Sequence, residues 1–161
     1  MDQEKVSATL TVAAPAAKVF AVLADPVRHA AIDGTGWVSG AVDRASLTDA
    51  GQIFRMRMHF AGYPDRDSDY ETVNKVQVFD PPRAIGWLTG HDRGDGDLEF
   101  GGWVWRYDLL PLAPSETEVT LGYDWSAVPQ HIRDRGIRFP PFGPEHLINS
   151  LHHLARLVSD R

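Results

Sequence analysis

A chain of 161 residues with 43% hydrophobic residues is the size of one ordinary domain and can bury a core without metal or disulfide support. It contains no cysteine, which excludes disulfides, thiol nucleophiles, iron-sulfur clusters and cysteine zinc sites. A formal net charge of -6 and a pI near 5.6 disfavour non-specific binding to nucleic acid or to anionic lipid.

The opening "MDQEKV" lacks the basic start of a signal peptide, and no apolar run reaches membrane-spanning length. A cytoplasmic protein without stable membrane insertion is the expectation. With no repeat or low-complexity linker, one domain over 1–161 is expected as well. Residues 5–13 alternate, with Val6, Ala8, Leu10 and Val12 on one face of a first strand. Pro15 then stands where a first helical residue belongs, followed by Ala16, Val19, Phe20 and Leu23 at helical spacing. Asp25 and Pro26 repeat the start signal for a short second helix ending near Gly34.

Strands are expected at about 36–42, 51–60, 68–79, 83–89, 101–110 and 117–125, separated by "TDAG", "AGYPD", "DPPR", "GHDRGDGD" and "LAPSE". Residues 126–144 hold too much Pro and Gly for regular structure beyond one helical turn in "PQHIRDR". Pro144 opens a final helix about 24 Å long, with Leu147, Leu151, Leu154, Ala155 and Val158 as its apolar stripe.

Seven strands about 4.8 Å apart make a sheet roughly 30 Å wide, whereas one helix is about 10–12 Å across. The sheet must therefore curl around the last helix, helped by strand glycines such as Gly86, Gly102 and Gly122. Whatever width the helix leaves is filled by large side chains, closed by loops, or hollow. The predicted register of the 101–110 and 117–125 hairpin opposes Trp103 with Trp125, Trp105 with Tyr123, Tyr107 with Leu121 and Leu109 with Val119, all on one face. The hairpin turning near Pro64 opposes Met58 with Tyr70, Met56 with Thr72 and Phe54 with Asn74. Its outer face pairs Arg57 with Glu71 and His59 with Asp69. Tyr70, Thr72 and Asn74 then point inward, and each buried polar group without a partner costs about 1–3 kcal/mol, so protein, water or a ligand must satisfy them.

"VSATLTVAAPAAKVFAVLADPVRHAAIDGTGWV" and "VQVFDPPRAIGW" resemble the START-like, helix-grip superfamily, and within it the polyketide cyclase/dehydrase and lipid-transport group known as SRPBCC proteins. The resemblance runs from about Glu4 to Leu157. It implies an α+β fold in which a curved antiparallel sheet of about seven strands wraps a long C-terminal helix, with two short helices after the first strand. It also implies a cavity for a hydrophobic small molecule of polyketide, lipid or sterol type, without cofactor. Members range from cyclases and lipid carriers to hormone receptors and co-chaperone-related proteins, so the fold does not fix the chemistry. No catalytic motif carries over to named positions. The resemblance places 126–144, with Phe139 and Phe142, near the cavity mouth, as a lid or as a plain packed connection.

The candidate ligand-binding residues are Met56, Met58, Tyr70, Thr72, Asn74, Trp87, Trp103, Trp105, Tyr123, Trp125, Phe139, Phe142 and Leu151, the alternative for the rings being plain core filling. His29 and Asp33, four residues apart on the second helix, form a candidate general base with its carboxylate; the plainer expectation is a solvated helix face. Tyr70 is the third candidate catalytic residue, and Tyr70 and Asn74 are also candidates to polarise a ligand carbonyl. His146, His152 and His153 are expected to face solvent. His146 and His153 stand two turns, about 10 Å, apart along the axis, too far to share a metal ion. Three readings stay open: a binder of a hydrophobic or aromatic molecule, a cofactor-independent cyclase or dehydratase, and a co-chaperone-like interaction module whose interior is filled.

Overall fold

The computed structural model describes residues 4–59, 69–136 and 138–159. Strand β1 (Lys5–Val12) leads into α1 (Ala16–Leu23), a 3-10 turn (Pro26–Arg28) and the single turn α2 (His29–Ile32). Strands β2 (Val38–Ala41), β3 (Ile53–His59), β4 (Asp69–Asp80), β5 (Ala84–Asp92), β6 (Leu98–Ala113) and β7 (Glu116–Asp124) follow, then α3 (Gln130–Arg133) and α4 (Glu145–Ser159). The seven strands form one antiparallel sheet in the order β1-β7-β6-β5-β4-β3-β2, so β7 folds back beside β1 while the others meander outward. This is the helix-grip α+β architecture that the order of elements implied. Among the described residues no helix is long and apolar enough to cross a membrane.

Local chemistry explains the element ends. Pro15 is extended (φ -64°, ψ 146°) and caps α1 rather than forming its first turn, while the Asp25 carboxylate accepts from the Val27 N–H at 3.1 Å to start the next turn. Strands β5 and β6 run further than the alternation indicated, to Asp92 and from Leu98, because the ladder continues through Gly90 opposite Phe100. A Cβ at Gly90 would stand 2.0 Å from the Glu99 carbonyl oxygen, so only glycine fits this irregular pairing. Gly102 adopts φ +97°, as a bend requires, whereas Gly122 has ordinary space around it and marks no tight approach.

The predicted registers hold, except that the β6–β7 ladder begins at Val104 opposite Asp124 and does not include Trp103 and Trp125. Met58 opposes Tyr70, Met56 opposes Thr72 and Phe54 opposes Asn74; Trp105 opposes Tyr123, Tyr107 opposes Leu121 and Leu109 opposes Val119. The turn near Pro64 lies outside the described residues. On the outer face His59 Nδ1 meets Asp69 at 2.7 Å, and Arg57 opposes Glu71 as predicted while its guanidinium donates to the Ala41 carbonyl.

Leu147, Leu151, Leu154 and Val158 of α4 are buried in the main core with Val12, Val19, Phe20, Leu23, Val119 and Leu121. Helix α4 lies mainly over β1, with lesser contact to β7, so the β3–β5 half of the sheet is roofed by other groups. A second core cluster joins Tyr123, Trp125, Val128 and Ile132, with Trp103, Phe139 and Phe142 packed against it. Arg133 fastens this segment by donating to the carbonyls of Val128 and Trp125, both at 2.9 Å, and pairing with Glu4. The stretch after Trp125 is thus a packed connection on the β7 side.

Candidate functional site

Where α4 leaves the sheet uncovered, a cavity of about 130 Å³ remains. Phe54, Met56 and Met58 of β3, Thr72 and Asn74 of β4, Trp87 and Thr89 of β5, and Trp105 and Tyr107 of β6 form its sheet wall. The opposite wall comes from Leu23, from His29, Ile32 and Asp33, from Thr35 and Trp37 in the loop entering β2, from Val38 at the start of β2, and from His146 and Ser150 on α4. The walls are mostly apolar, with a few polar groups at fixed positions, the usual make-up of a small-molecule site.

The polar groups divide into satisfied and unsatisfied ones. Asn74 is buried, and its amide oxygen accepts from the Thr89 hydroxyl at 2.7 Å while its amide N–H donates to the Phe54 carbonyl at 3.4 Å. The cost of turning an amide inward is thereby offset by protein partners. His29 is buried, not on a solvated face: Nε2 donates to the Leu23 carbonyl at 2.8 Å, and the ring stacks on Trp87 at 5.0 Å. The physical reason is the C-terminus of α1, whose last carbonyls need donors that the helix cannot supply. Because Nε2 carries the proton, Nδ1 of the neutral ring is an acceptor.

Asp33 caps α2 and shapes the loop after it. Its carboxylate accepts from Thr35 N–H at 3.2 Å, from the Thr35 hydroxyl at 2.9 Å and from Val38 N–H at 2.9 Å. His29 and Asp33 are therefore not an acid-base pair. The carboxylate faces His146, with Nδ1 to Oδ1 at 4.0 Å and both side chains less than a tenth exposed. His146 is the main correction to the expectation that the histidines of the last helix face solvent: His152 is exposed and His153 half-buried, but His146 is buried between Trp105 and Phe142, at ring distances of 5.5 and 4.7 Å. Gly34 makes this approach possible, since its N–H donates to Ser150 Oγ at 2.9 Å and no side chain separates the loop from α4.

Tyr107, buried on β6, completes the polar end. Burial, joined by the negative charge of Asp33, raises its hydroxyl above the ordinary value, so it stays protonated. Burial also lowers the imidazoles of His29 and His146 below 6.5, opposed at His29 by the Leu23 carbonyl and Asp25, and at His146 by Asp33 and Glu145. Both rings are accordingly neutral near pH 7. Below 6.5 the unfolded chain binds more protons than the folded one, so the stability carried by these neutral rings is complete above 6.5 and is lost as pH falls toward the lowered values. The midpoint of thermal unfolding is expected to drop between about pH 7 and pH 5, and His146→Phe should shrink that drop; a midpoint flat across the window in the native chain would contradict it.

Of the residues singled out in the sequence, Met56, Met58, Thr72, Asn74, Trp87, Trp105, His29 and Asp33 meet at the cavity. Tyr70, Trp103, Tyr123, Trp125, Phe139, Phe142 and Leu151 do not line it. Tyr70 is half-buried toward the hairpin end of β4. Tyr123 stands behind Trp105 at 4.6 Å, Trp103 and Trp125 belong to the second cluster with Phe139, and Phe142 stacks on Trp105 at 5.5 Å. Leu151 is fully buried core. Phe54, Tyr107, Thr89 and Ser150 are not among the candidates from the sequence and His146 is expected there at the surface, although Phe54 and Tyr107 fall on the inward face of the predicted registers and Thr89 is two residues beyond Trp87.

No family model matches the chain. It is 32% identical over 123 residues to the uncharacterized protein Rv0088 of Mycobacterium tuberculosis (strain H37Rv), a match covering 76% of this chain and 48% of that protein. The uncharacterized protein MT0096 of strain CDC 1551 matches to the same extent, so the chain spans about half the length of the curated relatives it matches. Among solved structures it is similar to protein CV1439 from Chromobacterium violaceum, with a TM-score of 0.65 and 17% identity, covering 98% of this chain and 99% of that one. NE0264 from Nitrosomonas europaea superposes with a TM-score of 0.66 at 15% identity, covering 99% and 97%. A protein from Arthrobacter aurescens gives 0.68 at 14%, covering 98% and 87%. At these identities the likeness concerns the fold.

Proposed function

We propose that this chain is a single-domain, cytoplasmic protein of the SRPBCC kind that binds a hydrophobic or aromatic small molecule in the cavity between β3–β6 and the α2–α4 side, without metal or cofactor. The observation that carries this reading is a hollow walled by Phe54, Met56, Trp87, Trp105 and Tyr107 beside the packed core. Native packing leaves few voids larger than water, so an aromatic-walled hollow needs a reason, and an occupant supplies one. The volume narrows the occupant. At about 130 Å³ it is close to a cavity that holds benzene, about 150 Å³, and well below the usual 300–1,000 Å³ of larger ligands. A single ring fits; a polyketide, acyl chain or sterol would enter by one ring or one end unless the walls part.

Toluene is the appropriate first probe, because Trp87 and Trp105 report directly on it. Saturable change of tryptophan emission with a Kd on the order of 1 mM or tighter is expected, together with a rise in thermal midpoint at saturation. Emission unchanged by toluene and by a wider panel of one-ring compounds would overturn the reading.

The cavity also meets the requirement of a cofactor-independent cyclase or dehydratase, since Asp33 and His146 both line it. That second reading rests on these two residues rather than on Tyr70 or a His29–Asp33 pair. An interaction module with a filled interior draws less support, because the large exposed apolar side chains are limited to Val27, Ile53, Leu110 and Leu112 among the described residues.

A further inference from the structure

His146 Nδ1 is, among the described residues, the buried side-chain polar atom left without a hydrogen-bond partner. A buried polar group in that state has given up its hydration without a hydrogen bond in exchange, at a cost of about 1–3 kcal/mol. Asp33 Oδ1 faces His146 Nδ1 from 4.0 Å, too far for a direct hydrogen bond. Asp33 cannot simply swing across, because Thr35 N–H, the Thr35 hydroxyl and Val38 N–H hold its two oxygens in the loop. The Thr35 hydroxyl has a single proton for both oxygens, so three donors serve about four acceptor positions, and with that proton on Oδ2 the Oδ1 atom can take one more donor.

A single oxygen between the two atoms would meet both. An oxygen about 2.8 Å from each would subtend an angle of about 90° between them. The carboxylate only accepts. The imidazole donates when Nδ1 carries its proton, the tautomer that the adjacent negative charge favours. Only a group that donates and accepts through the same atom satisfies both, which a hydroxyl does and a carbonyl, ether or methyl does not. The rest of the cavity is walled by Phe54, Met56, Trp87 and Trp105 and has room for one ring.

We infer that Asp33 and His146 form a hydroxyl-recognition pair, and that the cavity selects a one-ring compound of phenol type, its O–H donating to Asp33 Oδ1 and accepting from His146 Nδ1–H. This rests on the cavity being a ligand site and goes beyond it by naming the ligand class. The edges of the His146 ring packed by Trp105 and Phe142 fix its plane, so the pair is set before a ligand arrives.

Phenol and toluene differ by one hydroxyl in place of one methyl, and a cavity without a polar partner favours toluene, because an unpaired buried hydroxyl is costly. The test is calorimetric titration of the native chain with each compound, with the 15N resonances of the His146 ring followed in parallel. Phenol is expected to bind at least about tenfold more tightly than toluene, and the Nδ1 resonance to move with phenol and stay put with toluene. His146→Phe, which keeps an aromatic ring between Trp105 and Phe142, should invert the preference; if that variant does not fold, the ring resonances of the native chain still decide. Toluene binding as tightly as phenol, or a His146 ring indifferent to phenol, overturns the hydroxyl pair while leaving the cavity as a ligand site. Neither compound binding overturns the hydroxyl pair, and if the wider one-ring panel fails as well the ligand site falls with it.

Discussion

Leu151→Ala is expected to lower the unfolding free energy of the ligand-free protein by about 2–5 kcal/mol. Leu151 has no exposed surface and lies in the middle of α4, in the core shared with β1 and β7. Truncation removes the transfer free energy of the lost carbons and leaves a void, and the surroundings are too well fixed to collapse into it: α4 contributes Leu147, Leu154 and Val158 to the same core. For a domain of this size the change corresponds to a fall of about 5–20 °C in the thermal midpoint. Urea unfolding with an unchanged slope and a lower midpoint is the readout. A leucine that merely touched a ligand would leave the empty protein almost as stable as before, so an effect below about 0.5 kcal/mol would return Leu151 to the cavity wall.

Gly34→Ala should be nearly as severe for a different reason. A Cβ there would stand 2.4 Å from the His146 carbonyl oxygen and 2.9 Å from both the Asn149 Cβ and the Ser150 nitrogen. Two of these three are backbone atoms of α4, so no side chain can turn away to make room. The loop must retreat from the helix, stretching the Gly34 N–H bond to Ser150 Oγ and widening the 4.0 Å gap between Asp33 and His146. Overpacking of this kind costs about 1–3 kcal/mol, and any preference for phenol should vanish with the altered spacing. Gly40→Ala is the control: nothing lies within 4 Å of a Cβ at Gly40, and its effect should stay within about 0.5 kcal/mol. Equal effects at the two glycines would contradict the close contact between loop and helix.

The sheet was legible from the sequence because its information is local and periodic. Alternation in "FRMRMH" and "YETVN" fixes which side chains face inward, and the need to place Met56 and Phe54 inside leaves one register for β3 on β4. What alternation cannot convey is which part of an inward face lies under a helix. Trp105 and Tyr123 share that face, yet Trp105 reaches the cavity and Tyr123 does not, because α4 and the packed stretch after Trp125 lie toward β1 and β7. That division depends on the path of α4 across the sheet, a long-range fact.

The final helix differs from its sequence pattern in one respect for a similar reason. Leu147, Leu151, Leu154 and Val158 reveal its buried stripe, but His146 and Ser150, one turn apart, border that stripe and are buried too. Their spacing of four was the available signal; counting His146 with His152 and His153 as polar surface hid it. The partnership of Asp33 was not legible at all, since it follows from how the loop through Gly34 docks on α4.

The most direct measurement for the whole account is a crystal of the protein soaked in toluene, refined for the position of the ring. A ring enclosed by Phe54, Met56, Trp87 and Tyr107 is expected, with little movement of β3 to β6. An interior without ring density, in a crystal where toluene settles only on the outer face of the sheet, would contradict it.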